Sequence, residues 1–196
     1  MKLYFITSNR FKLEIARELL STHGIDVRMK SLELDEIQSP NVDEVAYHKA
    51  NQALKLMKEP FIVDDSGFYV AGLGGFPGAY LKPVVKMIGW HGVLNLLGDS
   101  SRRGATFRAV LVFGDPKSGK TIKFESRVPG IISRKEHGSN NRRMLTSKIF
   151  VPEGSTKTIA QMGKKEWAVF IKRVETSRYT KFALWIKKSY LHAGRR

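Results

Sequence analysis

Cysteine is absent from the 196 residues of the sequence. Disulfide bridges, thiolate metal ligands and cysteine nucleophiles are therefore excluded, and oxygen, histidine and lysine side chains remain for any chemistry. A bound metal is expected to be a hard ion. The sequence also lacks a run of about 18 apolar residues and a charged-then-apolar leader, so neither a membrane span nor a secretory signal is expected. These absences favour a cytoplasmic protein without a membrane partner.

Acidic residues are scarce in the second half of the chain. Residues 1–101 contain 11 Lys and Arg against 12 Asp and Glu, whereas residues 102–196 contain 23 against 6, and the whole chain has a formal net charge of +16. This excess of positive charge favours polyanionic partners, which include phosphorylated small molecules and nucleic acid. Because the basic residues are scattered, the alternative is a basic surface that has no polyanionic partner.

One stretch matches the phosphate-binding loop pattern of Gly, four residues and Gly-Lys-Thr: GDPKSGKT, residues 114–121. In that motif a strand precedes the loop and a helix follows it, because the N–H groups at the helix start hold the phosphates. Here ATFRAVLVF precedes the loop as a strand, but IKFESRV follows it and alternates at period two, as a second strand does. The pattern therefore predicts a hairpin whose second strand is closed by Pro-Gly.

Apolar periodicity predicts alternating strands and helices in the rest of the chain. The strand KLYFI leads through Ser8 and Asn9, two good N-cap residues, into the helix RFKLEIARELL, whose start favours an anion. DVRMKSLEL is predicted as a strand and NVDEVAYHKANQALKLM as a helix. A helix with Met87 and Ile88 on its buried side is expected after the AGLGGFPGAY loop, and RYTKFALWIKKSYL is expected as a last amphipathic helix. No linker interrupts these elements, which predicts one α/β domain over residues 1–196.

Two adjacent carboxylates, Asp64 and Asp65, follow the apolar run Phe61–Val63 and precede Ser-Gly. The predicted strand breaks at this point. Burial of two carboxylates is costly without a cation, and Mg²⁺ binds through carboxylates together with substrate phosphates. Glu36, between a strand and the next helix, is a candidate third carboxylate. The alternative is a plain turn whose acids lie in water.

Three lysines are candidates for binding an anion near these carboxylates. Lys12, Lys49 and Lys82 each lie near a loop or helix that an α/β sheet brings toward the carboxyl ends of its strands, where ligands bind. A lone lysine is usually a solvated charge. Only their convergence in the fold would make them a binding site.

Six segments resemble the inosine/xanthosine triphosphate pyrophosphatase family, in order and nearly end to end. They are TSNRFK (7–12), LDEIQSPNVDEVAYHKA (34–50), VDDSGFYV (63–70), GGFPGAYLK (74–82), FESRVPGIIS (124–133) and FVPEGSTKTIAQM (150–162). The resemblance implies an elongated α/β fold in which helices flank a mixed sheet, with two lobes around a central active-site cleft, commonly as a homodimer. It also implies the reaction of that family, in which a nucleoside triphosphate and water give a nucleoside monophosphate and pyrophosphate with Mg²⁺ as cofactor.

The resemblance also implies roles for individual residues. Glu36 and Asp65 are the implied metal carboxylates, and Asp64 or Asp65 helps to position and deprotonate the attacking water. Lys49 and Lys82 are the implied lysines that neutralise phosphate charge, which dominates such reactions, and Lys49 is implied to act with the two aspartates in catalysis. The residues implied to bind the substrate are Thr7, Ser8, Asn9, Lys12, Lys82, Lys172 and Arg178.

The second half departs from the family pattern at three places. Residues 144–148 read MLTSK where the family has Phe-Gly-(Tyr or Trp)-Asp-Pro, Ser177 replaces a histidine, and Ser126 replaces a glycine. Because hydrogen bonds to a base edge discriminate most strongly between nucleotides, these changes predict an altered base preference. One alternative is a substrate from another phosphate-anhydride class, such as a modified or pyrimidine nucleotide. Another is a paralogue without selective hydrolysis that binds nucleic acid through its basic second half.

Overall fold

The computed structural model describes residues 1–138 and 144–190, and these contain seven strands and four α-helices. The strands are β1 (Lys2–Ile6), β2 (Asp26–Lys30), β3 (Phe61–Val70), β4 (Pro77–Gly78), β5 (Gly104–Asp115), β6 (Lys120–Ile132) and β7 (Phe150–Pro152). The helices are α1 (Arg10–Ser21), α2 (Val42–Leu56), α3 (Leu81–Leu97) and α4 (Lys164–Trp185), and α4 continues into a π-helical turn at Ile186–Tyr190.

The strands form one mixed sheet in the order β2-β1-β3-β5-β6-β7, with β4 paired to β3. β1 runs parallel to β2 and β3, whereas β3, β5, β6 and β7 pair antiparallel along the rest of the sheet. β1 pairs with β3 only through Tyr4 and Phe5, opposite Phe61 and Ile62. β3 therefore runs on past the end of β1 and leaves an open edge there.

Helices cover both faces of the sheet. On one face, α1 and α4 pack over the strands, and Leu13 and Phe182 share a buried cluster with Ile62 and Phe113. On the other face, α2 packs through its alanines, whose small side chains let the helix lie close to the strands. Alternate residues of β3 and β5 enter the two clusters, as the two-residue period of a strand requires. The predicted class, a mixed sheet flanked by helices, is confirmed.

A third buried cluster joins the far end of β3 to α3, β7 and the first half of α4. Phe68 lies at its centre, with ring centroids 6.1 Å from Trp90 and 5.1 Å from Phe150, both in edge-to-face geometry. Such aromatic pairs stabilise the fold beyond their buried area. The cluster fixes the start of α3 against the sheet.

The GDPKSGKT segment is the turn of a β5–β6 hairpin, as predicted. β5 and β6 pair from Asp115 and Lys120 onward, and no helix follows the turn. The Asp115 carboxylate closes the turn by accepting hydrogen bonds from the Lys117 N–H and the Ser118 hydroxyl. The second strand does not stop at Pro-Gly, however, because Gly130 to Ile132 pair with β7.

β3 does not break at Asp64, and the prediction of a strand end there is wrong. The strand is continuous, with Asp64 opposite Leu111 and Asp65 opposite Val110 of β5. In a continuous strand, adjacent side chains point to opposite faces. The two carboxylates therefore leave the sheet in opposite directions, and each meets a cation supplied by a different helix.

α3 is bent at Gly89, whose φ of 61° and ψ of −177° lie outside the helical region. Because the bend breaks the helical period, Met87 and Ile88 are 73% and 45% exposed, and the prediction that they are buried is wrong. Val84 and Trp90 are the buried residues on either side of the bend. The positive φ favours glycine, since a Cβ atom would be strained there.

α4 is longer than the sequence indicates. The predicted helix begins at Arg178, whereas residues 164–177, for which the sequence predicts no element, are also helical. β2 is shorter than predicted and ends at Lys30. Among residues 1–138 and 144–190, no helix is long and apolar enough to cross a bilayer.

Candidate active site

A cleft of about 470 Å³ opens where β1 ends beside the middle of β3. Its walls are the turn after β1, parts of α1 and α2, the loop between β2 and α2, and the first turn of α3. The topology explains its place, because ligands of α/β sheets bind beyond the carboxyl ends of the parallel strands. The polar and charged side chains of its lining are Thr7, Ser8, Asn9, Lys12, Ser31, Glu36, Lys49, Asp64, Asp65, Ser66, Lys82 and Arg178.

The turn between β1 and α1 presents the start of a helix to the cleft. Thr7 Oγ1 accepts a hydrogen bond from the Asn9 N–H at 3.0 Å, and Asn9 Oδ1 accepts one from the Lys12 N–H at 3.2 Å. Asn9 is thus the N-cap of α1, and the first turn of α1 contains no acidic residue. A helix start carries partial positive charge, so the turn suits a phosphate group.

Asp64 is fully buried on the side of the sheet covered by α1 and α4. Arg178 Nε lies 2.6 Å from its Oδ2, and Lys12 Nζ lies 2.7 Å from its Oδ1 in an ion pair that lacks hydrogen-bond geometry. Lys12 Nζ also donates to the Asp64 carbonyl at 2.9 Å, and Arg178 donates to Ser126 Oγ at 3.3 Å. Burial alone would raise the pKa of Asp64, but Arg178 and Lys12 hold it below its ordinary value. Asp64 is therefore an ionised carboxylate enclosed by two cations.

Lys49 links Asp65 to Glu36 on the other side of the sheet. Its Nζ donates to Asp65 Oδ1 at 2.8 Å and lies 3.1 Å from Glu36 Oε2. The side chains of Lys49 and Asp65 are 18% and 17% exposed, whereas that of Glu36 is 62% exposed. Burial would lower the pKa of Lys49, but the Asp65 and Glu36 carboxylates raise it above its ordinary value. The charged ammonium therefore draws together two carboxylates that come from different elements.

Glu36 and Asp65 fit a hard divalent cation. Among the described residues Oδ2 of Asp65 has no hydrogen-bond partner although it is buried, which is costly unless a cation or a donor binds there. Within residues 1–138 and 144–190, no group of three or more His, Asp or Glu side chains is placed to hold a metal ion. Two carboxylates are sufficient for Mg²⁺ when water and substrate phosphates complete its coordination.

Comparison with known proteins identifies the family. The family model for the Ham1 family matches residues 3–178. The chain belongs to the Ham1 family. A dITP/XTP pyrophosphatase of Thermococcus kodakarensis is 36% identical over 189 residues, which cover 96% of this chain and 99% of that protein. Another dITP/XTP pyrophosphatase, of Methanopyrus kandleri, is 33% identical over 195 residues and covers 100% of both chains. The resemblance predicted from the sequence motifs is thereby confirmed.

Solved structures of the Ham1 family share the fold. A HAM1 protein from Coxiella burnetii superimposes with a TM-score of 0.81 over 96% of this chain and 100% of that chain, at 21% sequence identity. At such identity the likeness shows the fold alone. It agrees with the mixed sheet and flanking helices described above.

The cleft of this Ham1 family chain contains ten of the eleven site residues predicted from the sequence. These ten are Thr7, Ser8, Asn9, Lys12, Glu36, Lys49, Asp64, Asp65, Lys82 and Arg178. The eleventh, Lys172, is exposed on α4 and does not line the cleft. The roles of all eleven stay predictions, and for Lys172 the geometry gives no support.

The cleft also has an apolar wall formed by Phe107, Met144 and Leu145. Phe107 and Met144 pack against the third core cluster, and the indole N–H of Trp90 donates to the Leu145 carbonyl. The sequence marked Met144 and Leu145 only as departures from the family pattern. It gave no sign of Phe107, because Phe107 lies on the same apolar face of β5 as Leu111 and Phe113, and periodicity does not tell which part of that face lines the cleft and which part lies in the core.

Proposed function

We propose that the chain hydrolyses nucleoside triphosphates to nucleoside monophosphates and pyrophosphate, with Mg²⁺ as cofactor. The observation that carries this proposal is the meeting of Glu36, Lys49 and Asp65 in one cleft with the Thr7–Asn9 turn. Carboxylates that suit a metal, and a helix start with nearby lysines that suits phosphates, meet the needs of phosphoanhydride hydrolysis. The names of two relatives that match nearly the whole chain support the same reaction.

The substrate-binding residues act by neutralising the triphosphate. The helix start at Ser8 and Asn9 receives phosphate oxygens, and the ammonium groups of Lys49 and Lys82 approach others. Lys12, held by Asp64, adds a fixed positive charge beside them. When bound, Mg²⁺ would neutralise further phosphate charge and polarise the attacking water, and Glu36 and Asp65 are the residues that would hold it.

Asp65 is the proposed proton acceptor. In the part of the chain that the structure describes, its Oδ2 has no hydrogen-bond partner, whereas the carboxylate of Asp64 is enclosed by Lys12 and Arg178. In the proposed reaction Asp65 accepts a proton from water, the water oxygen bonds to the α-phosphorus, the α–β anhydride bond breaks, and pyrophosphate leaves. Asp64 holds Lys12 and Arg178 in place and takes no proton.

The proposed place for the base is the apolar wall of Phe107, Met144 and Leu145. Apolar side chains contact the faces of any base but form no hydrogen bonds with its edge, so they discriminate weakly. We then expect the enzyme to accept standard purine nucleotides as well. We also expect dITP and XTP, the two nucleotides in the names of the relatives, to remain substrates.

A panel of triphosphates tests the proposed function. With Mg²⁺ we expect pyrophosphate release from dITP and XTP. The kcat/KM for dATP and dGTP is expected to be lower than that for dITP by no more than about 10²-fold, as is typical of discrimination by an apolar pocket. Pyrophosphate and nucleoside monophosphate are measured together, with EDTA as the control. A kcat/KM for dITP that exceeds those for dATP and dGTP by about 10⁴-fold would contradict the relaxed base preference. Absence of turnover for every triphosphate would contradict the hydrolysis itself.

The homodimer implied by the resemblance and the cytoplasmic location inferred from the sequence stay predictions. Neither is needed for the reaction at the cleft, because every residue assigned to the reaction comes from one chain.

A second candidate function, nucleic-acid binding, is favoured by the outward face of α4 and its π turn. The exposed side chains there include seven cations, which are Lys164, Lys165, Lys172, Arg173, Lys181, Lys187 and Lys188. Glu166, on the same face, is already paired with Lys157 at 2.9 Å. A helical row of cations suits the phosphates of a nucleic-acid backbone.

The salt dependence of binding tests this candidate. If the face binds RNA or DNA, the affinity falls steeply with salt, and the variant Lys165→Glu with Lys172→Glu reduces the slope of log K against log salt by about 2. Fluorescence anisotropy with a labelled oligonucleotide measures both. Lys55→Glu on the exposed face of α2 is the matched control. Lack of binding near physiological salt, or equal slopes for both variants, would remove the candidate.

A further inference from the structure

The ammonium of Lys49 lies between the two carboxylates that are proposed to hold the metal. Its Nζ is 2.8 Å from Asp65 Oδ1, which is the distance of a charge-assisted hydrogen bond, and it forms an ion pair with Glu36 Oε2 at 3.1 Å. One positive charge of the protein itself therefore faces both carboxylates already. A divalent cation that binds the same pair meets this ammonium at close range and is repelled by it.

The net charge of the whole cleft also disfavours a bare divalent cation. In the described part of the chain, the acidic side chains that line the cleft are Glu36, Asp64 and Asp65, and the cationic ones are Lys12, Lys49, Lys82 and Arg178. Asp64 is enclosed by Lys12 and Arg178, so its charge is not available to a metal. A cleft with more cations than anions disfavours a bare divalent cation and favours a triphosphate.

A metal ion bound by Glu36 and Asp65 also needs further ligands, and the nucleotide can supply them. Oδ1 of Asp65 is occupied by Lys49 in the free protein, and within residues 1–138 and 144–190 no third acidic or histidine ligand completes a metal cluster. Phosphate oxygens supply the missing ligands only when the substrate is present. Lys49 has a flexible four-carbon stem, so its ammonium can move from the carboxylates to a phosphate oxygen without a change in the backbone.

We propose that Lys49 blocks the Glu36–Asp65 pair against a bare divalent cation, and that a triphosphate relieves the block by drawing the ammonium to its own oxygens. This inference rests on the proposed function, because it takes Glu36 and Asp65 as the metal-binding pair. Metal and nucleotide then bind with positive coupling, and each raises the affinity of the other by the same factor. The pair then binds the metal while the triphosphate is bound, and the metal is not a resident ion of the free protein.

Binding of Mn²⁺, followed by electron paramagnetic resonance on the full-length chain, tests the block. Wild-type protein is expected to bind Mn²⁺ weakly alone and about tenfold or more tightly with the non-hydrolysable α,β-methylene analogue of dITP, as is typical of coupled sites. Lys49→Met is expected to bind Mn²⁺ about tenfold more tightly than wild type without the analogue, and to lose most of the coupling. Lys49→Gln is a second neutral variant, and Lys49→Arg, which keeps the charge, is expected to keep weak Mn²⁺ binding.

Lys82→Met is the matched control. It removes the same charge from the same cleft, yet among the described contacts Lys82 pairs with neither Glu36 nor Asp65. Its effect on Mn²⁺ binding to the free protein is expected to be much smaller than that of Lys49→Met. Equal increases in Mn²⁺ affinity in the two variants would show that any loss of positive charge from the cleft has this effect, and would overturn the specific role of Lys49.

Failure of the block and failure of the metal site give different results. If folded Lys49→Met and Lys49→Gln bind Mn²⁺ no more tightly than wild type, the block is contradicted. If they do bind more tightly, but adding Asp65→Asn or Glu36→Gln leaves the gain unchanged, the Glu36–Asp65 pair is not the site and the inference falls with it. Pyrophosphate release by wild-type protein, measured separately, decides the proposed function whichever of these results is found.

Discussion

We expect Asp65→Asn to lower kcat/KM for pyrophosphate release from dITP by about 10²- to 10³-fold or more while the protein stays folded. Within the described residues each aspartate has one carboxylate oxygen without a hydrogen-bond partner, but that of Asp64 lies 2.7 Å from the Lys12 ammonium, whereas Oδ2 of Asp65 faces no such cation. Asparagine has nearly the same shape, so β3 and its pairing with β5 are preserved. The amide, however, accepts no proton from water and offers a metal only a neutral oxygen.

The size of this loss separates a chemical role from a structural one. Pyrophosphate release is measured at saturating Mg²⁺ and the thermal midpoint is measured in parallel, so that lost activity is not confused with lost fold. Asp35→Asn is the matched control, because Asp35 is next to Glu36 in the same loop but does not line the cleft. Full activity in Asp65→Asn would exclude Asp65 as both proton acceptor and metal ligand.

The sequence predicted the hairpin at GDPKSGKT because the decisive information is local. The alternation after Thr121 is a strand pattern over successive residues, and a phosphate loop needs a helix there. In the structure β6 begins at Lys120 and continues to Ile132. The same local rule failed at Pro-Gly, because pairing with β7 extends the strand through residues that usually end one.

The paired aspartates show why a local rule fails at the site. The sequence predicts a strand end where the apolar run changes to Asp-Asp-Ser-Gly, and two adjacent buried carboxylates are costly without a cation. The structure offsets that cost with cations that are far away in the sequence: Arg178, 114 residues from Asp64, and Lys49, 16 residues from Asp65. Which cation meets which carboxylate depends on the helices that cover the two faces of the sheet. Motif resemblance gave the list of residues, but only the fold separates enclosed Asp64 from open Asp65.

The second large effect concerns stability. We expect Asp64→Ala to lower the free energy of unfolding by about 3–5 kcal/mol, the usual cost of removing one partner of a buried ion pair. The substitution takes from the fully buried Arg178 the carboxylate at 2.6 Å, and it also takes the counter-charge of Lys12. Urea denaturation measures the loss, with an unchanged m-value as the sign that the unfolding reaction is the same.

Two further variants assign the loss to the ion pair. Ser126→Ala removes only the hydrogen bond that Arg178 donates at 3.3 Å, and it is expected to cost about 0.5–1.5 kcal/mol. Asp64→Ala combined with Arg178→Met is expected to cost less than the sum of the single changes, because the second change removes a charge whose partner is already gone. A loss below about 1 kcal/mol for Asp64→Ala would mean that the Asp64–Arg178 pair stabilises the protein no more than an exposed salt bridge does. The enclosed carboxylate would then contribute little to stability, and Asp64 would again be a candidate for the proton acceptor.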